Sequence, residues 1–117
     1  MKITKDGILI FGANEIAPKV TVHRTGYFFI SNGAAIRMKL SPDARLGVAV
    51  DIKRECFYLF ESPDEDGVPL KVCRNRGYVI YCKTAINAIP SFFEGKKSVS
   101  VILPSNSIEG GWWRVPK

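Results

Sequence analysis

Two stretches of this chain repeat the same order of residue types. Each opens on a Gly-Tyr pair with large apolar residues after it, and an Ala-Ile pair, a Val-X-Val segment and an aromatic doublet follow. The landmarks of the two copies are Gly26-Tyr27 and Gly77-Tyr78, Ala35-Ile36 and Ala85-Ile86, Val48 to Val50 and Val99 to Val101, and Phe57-Tyr58 and Trp112-Trp113. The spacing between the copies holds to within one residue until the final loop. A repeated order of this kind predicts a duplicated supersecondary unit, and therefore a pseudo-symmetric small domain.

The length and composition favour one ordinary globular domain. The chain has 117 residues, of which 46% are hydrophobic and 24% charged, and this balance argues against disorder. It has no apolar run of about 18 residues, the length of a membrane span. Lys5, Asp6 and Gly7 also interrupt any signal-peptide pattern at the N-terminus. We therefore expect a cytoplasmic protein that does not insert into a membrane.

The cysteines and the histidine give no pattern for a metal site or a disulfide framework. Cys56, Cys73 and Cys82 are odd in number and lack a Cys-X-X-Cys pair, and His23 is the single histidine. Walker, dinucleotide-binding and His-Glu-X-X-His motifs are absent, and a serine or cysteine nucleophile would have His23 as its one candidate base. The sequence thus predicts no cofactor, no metal, no small-molecule substrate and no enzymatic activity.

The net charge of the chain is positive. It carries 17 Lys and Arg against 11 Asp and Glu, a formal charge of +6. Several of the acidic residues cluster between Glu61 and Asp66, so the remainder of the chain is more basic than the total indicates. Such an excess favours polyanionic partners. A solvated basic surface with no role in nucleic-acid binding is the open alternative.

Turn, cap and alternation patterns divide the chain into four segments. These are an N-terminal β element at 1–24, the first repeat at 25–60, an acidic turn and edge strand at 61–75, and the second repeat at 76–117. Strands are predicted at 8–11, 19–23, 27–30, 46–50, 56–60, 68–72, 77–82, 98–103 and 112–115. Short helices are predicted at 34–40, capped by Ser31 or Asn32, and at 85–89, between a Thr84 cap and Pro90. The predicted fold is mostly β with one or two short helices, a compact pseudo-symmetric small barrel built from a tandem β-α-β-β repeat.

This order of elements resembles a known DNA-binding unit. Residues 26–31, the helix at 34–40, the strand at 48–51 and the return strand at 57–60 follow the order of the AbrB-type swapped-hairpin unit. That family includes bacterial transition-state regulators and antitoxins of the MazE kind. The resemblance implies that the two halves interleave hairpins within one chain, as two subunits of the family do in a dimer.

The same resemblance implies DNA binding through basic residues on loops and opening strands. The residues in comparable places are Arg24, Arg37 and Lys39 in the first unit, and Arg74, Arg76 and Lys83 in the second. The segment from Lys71 to Arg76 alternates basic and other residues, so it could lay charges along one strand face against phosphates. A plain solvated strand face is the alternative for that segment.

Aromatic residues on the predicted strands leave the function open between two classes. Alternation places some of them outside the core, where they could stack bases of a single strand or form a protein–protein surface; core packing is the third interpretation. Neighbours on a strand face opposite sides, so one of Trp112 and Trp113 is expected at the surface or at an oligomer interface.

The leading hypothesis is a non-enzymatic DNA-associated binding protein, a regulator or antitoxin-like module. The alternative is a protein-interaction or assembly module, including a homo-oligomer, that binds no nucleic acid.

Overall fold

Strands form most of the regular structure, as the alternating patterns predict. The computed structural model describes residues 2–3, 9–10, 17–63, 65–73, 77–108 and 110–116. The strands are β1 (Lys2–Ile3), β2 (Leu9–Ile10), β3 (Lys19–His23), β4 (Tyr27–Ile30), β5 (Arg45–Asp51), β6 (Cys56–Glu61), β7 (Val68–Pro69), β8 (Lys71–Cys73), β9 (Gly77–Tyr81), β10 (Ser98–Ile102) and β11 (Trp113–Val115). The helices are α1 (Asn32–Met38), α2 (Lys83–Ala88) and a 3₁₀ turn at Pro90–Phe93.

Two antiparallel sheets enclose the core, and β1 and β2 pair separately with each other. The five-stranded sheet has the order β10-β3-β4-β9-β8, and the four-stranded sheet has the order β11-β6-β5-β7. One face of each sheet supplies buried apolar side chains to a single cluster between them, which the helices complete. The rings of Phe28 and Phe57 meet edge to face across the sheets, with centroids 5.2 Å apart. The result is a compact, mostly β globule with two helices.

Ser31 begins α1, one of the two caps that the sequence allows. Its side-chain oxygen accepts hydrogen bonds from the backbone N–H of Ala34 at 3.1 Å and of Lys19 at 2.9 Å. The Ser31 hydroxyl in turn donates to the Ala17 carbonyl at 2.7 Å. A single hydroxyl therefore satisfies a helix terminus and fixes the start of β3 beside it. The helix ends at Lys39, whose φ of 58° is a left-handed cap.

The predicted Thr84 cap of the second helix is wrong. The cap position is Cys82, which makes no side-chain cap hydrogen bond, and Thr84 lies inside α2. The backbone N–H of Cys82 donates to the Gly26 carbonyl at 2.8 Å, which holds Cys82 at the end of β9. The helix therefore begins two residues earlier than predicted. Pro90 ends α2 as predicted and begins the 3₁₀ turn that buries Phe92 and Phe93.

The predicted edge strand at 68–72 is divided between the two sheets. Val68 and Pro69 pair with the edge of β5, and Lys71 to Cys73 pair with the edge of β9. Pro69 has no N–H to donate to a ladder, so an edge position suits it. The chain therefore passes from one sheet to the other at Leu70.

The prediction of a barrel is wrong, because the strands of the described chain form two open sheets. β10 and β8 are the edges of one sheet, and β11 and β7 are the edges of the other. Closure would require continuous pairing from one sheet to the next. The chain changes sheets instead through α1 between β4 and β5, at Leu70, and between β10 and β11. Pro104, which follows Leu103, cannot donate to a ladder, so β10 does not extend into the β11 segment.

The tandem repeat stays a prediction. The opening strands of the two copies, β4 and β9, pair antiparallel at the centre of the five-stranded sheet, with Tyr27 opposite Tyr81 and Ile30 opposite Tyr78. The closing strands differ between the copies. β5 and β6 form a hairpin, whereas β10 pairs with β3 and β11 pairs with β6.

Part of the N-terminal element lies outside the described residues. β2 falls within the strand predicted at 8–11 and pairs with β1, Lys2 opposite Ile10, while residues 4–8 and 11–16 of the element are not described. Among the helices of the described chain, none is long and apolar enough to cross a membrane.

Candidate nucleic-acid interface

The five-stranded sheet has one face that the core does not cover. Val20, Val22, Phe28, Ile30 and Ile80 point from β3, β4 and β9 into the core and are at most 1% exposed. Successive side chains on a strand point to opposite sides, so the residues between them form the opposite side, here called the outer face. The outer face carries Lys19, Thr21, His23, Tyr27, Phe29, Lys71, Cys73, Val79, Tyr81, Ser98, Ser100 and Ile102.

Aromatic rings occupy the centre of the outer face. Tyr27 on β4 and Tyr81 on β9 are cross-strand partners with ring centroids 4.9 Å apart. Phe29 lies next along β4, 6.1 Å from Tyr27 and 5.0 Å from the ring of His23 on β3. Tyr27 is 41% exposed and Tyr81 is 50% exposed. The rings therefore form a continuous cluster that solvent reaches.

Gly26 makes room for one of these rings. Its φ is +122°, a conformation that other residues rarely adopt, and a Cβ added there would lie 2.6 Å from Cε1 of Tyr81. The Tyr81 ring thus lies over the backbone at the start of β4. Glycine at this position is required both by the backbone dihedral and by the aromatic ring that packs on it.

The outer face carries basic and hydroxyl groups around the aromatic cluster, and no acidic ones. The strands β3, β4, β8, β9 and β10 contain no Asp or Glu. Lys19 and Lys71 lie on the face, and the hydroxyls of Thr21 and Ser100 hydrogen-bond to each other at 2.9 Å. The described acidic residues lie in β5, β6, the turns next to them, the segment before β7, and Glu94. Among the described residues, the outer face therefore carries cationic side chains and no carboxylate.

Four further cationic side chains lie at one end of this sheet, and this end is here called the basic end. Arg24 lies in the β3–β4 turn, Lys83 begins α2 directly after β9, and Lys96 and Lys97 precede β10. The backbone joins these segments, because the N–H of Arg24 donates to the Lys97 carbonyl at 2.9 Å. All four side chains are exposed. Glu94 precedes the two lysines in the same turn.

The structure places Arg37 in a structural role. Its guanidinium donates from Nη1 to the carbonyls of Leu103 at 2.9 Å and Pro104 at 3.3 Å. These bonds tie α1 to the loop that leaves β10. Arg37 is half-buried and lies away from the outer face, so it does not join the other predicted site residues.

Lys39 also lies away from the outer face. It lines a cavity of about 600 Å³ between the end of α1 and the loop at 105–111, together with Arg37, Glu61, Asn106 and Trp113. The cavity is lined by the cations Arg37 and Lys39 and by the acidic Glu61, and the Arg37 guanidinium already donates to the Leu103 carbonyl. Its lining therefore carries less net positive charge than the outer face.

Of the remaining predicted residues, Lys71 is on the outer face and two cannot be placed. Lys71 is exposed on the edge strand β8, opposite Val79. Arg74 and Arg76 lie outside the described residues. The structure thus brings Arg24 and Lys83 together at the basic end and sets Lys71 across the same face.

The two tryptophans belong to the other sheet. Trp113 is half-buried against the core, and Trp112 is 36% exposed. The ring of Trp112 stacks on Phe60 with centroids 4.5 Å apart and an interplanar angle of 8°. The surface member of the doublet is therefore Trp112, on the far side of the molecule's core from the outer face.

Lys96, Lys97 and the pairing of Tyr27 with Tyr81 are functional features of this face that the sequence does not predict. The Gly-Lys-Lys turn that precedes an alternating strand was a usable signal for the lysines. The pairing of the tyrosines had no local signal, because it depends on which strands are neighbours.

The described side chains give no sign of a metal centre, and the comparisons give no relative. No three His, Cys, Asp or Glu side chains among the described residues lie close enough together to hold a metal ion. The cysteines are free thiols, with Cys56 buried and the other two half-buried. Scans of the chain against protein-family models, curated proteins and solved structures found no match.

Proposed function

We propose that this protein is a non-enzymatic DNA-associated binding protein that contacts DNA with the outer face and the basic end. The observation that carries the proposal is the segregation of charge. Five strands without an acidic residue present lysines and aromatic rings on one face, and Arg24, Lys83, Lys96 and Lys97 lie at its end. Lysine and arginine side chains that neutralise phosphates supply most of the sequence-independent affinity for DNA.

The resemblance to AbrB-type units supports a regulator or antitoxin-like role. The resemblance implies that the two halves interleave within one chain, and β4 and β9, the opening strands of the two copies, are neighbours here. Arg24 and Lys83 flank these strands, as the basic residues of the family do. Contacts of this kind position a protein on the phosphate backbone and read little sequence by themselves.

A protein-interaction module is the second candidate, and the four-stranded sheet favours it. Tyr58, Phe60 and Trp112 form an aromatic cluster on its outer side. On the edge strand β8 of the five-stranded sheet, Val72 is 74% exposed. Exposed aromatic groups and unpaired strand edges are common features of protein interfaces.

The salt dependence of DNA affinity tests the proposal. Fluorescence anisotropy with labelled single-stranded and duplex oligonucleotides should show binding at low salt. For about four phosphate contacts, affinity should fall roughly 50- to 150-fold between 50 and 200 mM salt. No binding to either form at low salt would contradict the proposal and would leave the interaction module as the better account.

Replacing single cationic side chains by neutral glutamine shows which of them contact DNA phosphates. Arg24→Gln and Lys97→Gln should each weaken binding across all sequences and reduce the slope of log affinity against log salt by about 1. Lys53→Gln, in the exposed β5–β6 turn, is the matched control and should leave both quantities unchanged. Equal effects of all three variants would show that only net charge matters and would remove the basic end from the proposal.

A further inference from the structure

We propose that the outer face binds single-stranded DNA by stacking unpaired bases on Tyr27, Phe29 and Tyr81. This inference rests on the proposed function and specifies the form of DNA that the site takes.

The rings are exposed at a place where a sheet normally presents polar groups. Tyr27 is 41% exposed and Tyr81 is 50% exposed, although both lie in the central pair of strands and not at an edge. Their centroids are 4.9 Å apart, and Phe29 continues the row at 6.1 Å from Tyr27. Successive bases of a flexible single strand could therefore meet successive rings along the face.

The backbone beneath the rings lies in a regular ladder. Tyr27 and Tyr81 pair with each other across β4 and β9, and the neighbouring strands pair with the residues next along the chain, β3 with residues 28–30 and β8 with residues 77–79. The Tyr81 ring packs over Gly26, where any side chain would displace it. Rings held in this way lose little further conformational entropy when a ligand stacks on them.

The surrounding charge selects a polyanion over an apolar protein segment. Lys19 and Lys71 flank the rings on the face, and Arg24 and Lys83 lie next to the tyrosine end. Phosphates that follow the stacked bases would meet cations at both ends of the row. An apolar partner would leave these cations without a counter-charge and would desolvate them at a cost.

Duplex DNA does not expose the base planes on which the aromatic rings could stack. Its bases stack on one another, so a protein reaches only their edges, through the grooves. The outer face belongs to a sheet, and no described helix lies on it to enter a major groove. Single-stranded DNA exposes base planes and phosphates together, and stacking of this kind tolerates any sequence.

Binding of a labelled 15-nucleotide oligothymidylate, compared with a mixed-sequence duplex of the same length, tests the inference. We expect the single strand to bind at least tenfold more tightly at the same salt concentration. Tyr27→Ala and Tyr81→Ala should each weaken single-strand binding about 5- to 100-fold, which is the range that loss of one stacked base gives. Tyr27→Phe and Tyr81→Phe keep the ring and should bind within about twofold of the unchanged protein.

The controls separate this inference from the proposed function. Tyr58→Ala, in the other sheet, should leave affinity unchanged, and circular dichroism establishes that each variant is folded. If Tyr81→Ala fails to fold, Tyr27→Ala and Tyr81→Leu carry the test. Duplex affinity equal to or above that of the single strand, or alanine variants that bind like the phenylalanine variants, would overturn the stacking proposal while DNA binding stands. No binding of either DNA form would overturn both.

Discussion

At the scale of single residues, glycines decide where aromatic rings can lie on both sheets. Gly26 lies beneath Tyr81 on the five-stranded sheet, and Gly47 lies beneath Phe60 on the four-stranded sheet. Gly47 sits opposite Phe60 in the β5–β6 hairpin, and Trp112 stacks on that same ring. A glycine in a strand interior usually weakens it; here the aromatic ring covers the exposed backbone.

Gly47→Ala should therefore destabilise the fold. A Cβ on Gly47 would meet the Phe60 ring atoms, so the ring must move and unstack from Trp112. We expect a net loss of about 1–2 kcal/mol, since overpacking costs more than the alanine gains through the unfolded chain. Urea unfolding followed by tryptophan fluorescence measures both the loss and the altered Trp112 environment.

A second substitution provides the control for Gly47. In a Phe60→Leu background the smaller side chain leaves space for a methyl group, so Gly47→Ala should cost much less there. An equal cost in both backgrounds would contradict the account of ring and glycine.

Such residue-level placements were only partly predictable. The Ser31 cap followed from a hydroxyl that precedes a run of helix-forming residues. The resemblance to AbrB-type units predicts Arg37 as a DNA contact because a basic residue stands at a comparable place. Its hydrogen bonds go instead to the carbonyls of Leu103 and Pro104, in a loop far along the chain. Only the tertiary fold shows that its guanidinium is used for stability.

At the scale of elements, the β5–β6 hairpin is held at its turn by an ion pair. Asp51 Oδ1 accepts from the backbone N–H of Arg54 at 3.1 Å, and Oδ2 accepts from Nη1 of Arg54 at 3.0 Å. The backbone hydrogen bond, and then the guanidinium, hold the pKa of Asp51 below its ordinary value of 3.8. Because the folded-state pKa is lowered, the stabilisation is present above that ordinary value and is lost as the pH falls through the folded-state pKa.

Asp51→Asn should remove this pH-dependent contribution. The unchanged protein should be more stable than the variant at pH 7, and the difference should shrink steadily below about pH 4 as Asp51 takes up a proton. The urea midpoints of both proteins between pH 7 and pH 2 measure the difference. A difference that stays constant across that range would show that the carboxylate charge is not what holds the turn.

Elements with a clear period were predictable, and their division between sheets was not. Alternation located β3, the run of large apolar residues after Gly26 located β4, and Pro90 marked the end of α2. The segment at 68–72 has the pattern of one strand, yet Pro69 ends one ladder and Lys71 begins another. Local sequence does not specify which sheet edge a short strand joins.

At the scale of the whole molecule, strand order determines where charge and aromatic residues gather. The repeated landmarks led to a predicted barrel, but two open sheets with a shared core satisfy the same apolar patterns. Pairing of β10 with β3 brings Lys97 beside Arg24, which are far apart along the chain. The positive net charge can be read from the sequence. That several of the cations lie together at one end of one sheet follows only from the strand order.

The central claim is that the outer face of the five-stranded sheet is the DNA contact surface. The most direct test is a ¹H–¹⁵N correlation spectrum of the protein titrated with an oligothymidylate. We predict that the amide shifts change mainly in β3, β4 and β9 and at the basic end, in residues such as Tyr27, Tyr81 and Lys97. Unchanged spectra at a high concentration of the oligothymidylate, or shift changes confined to β5, β6 and β11, would contradict the claim.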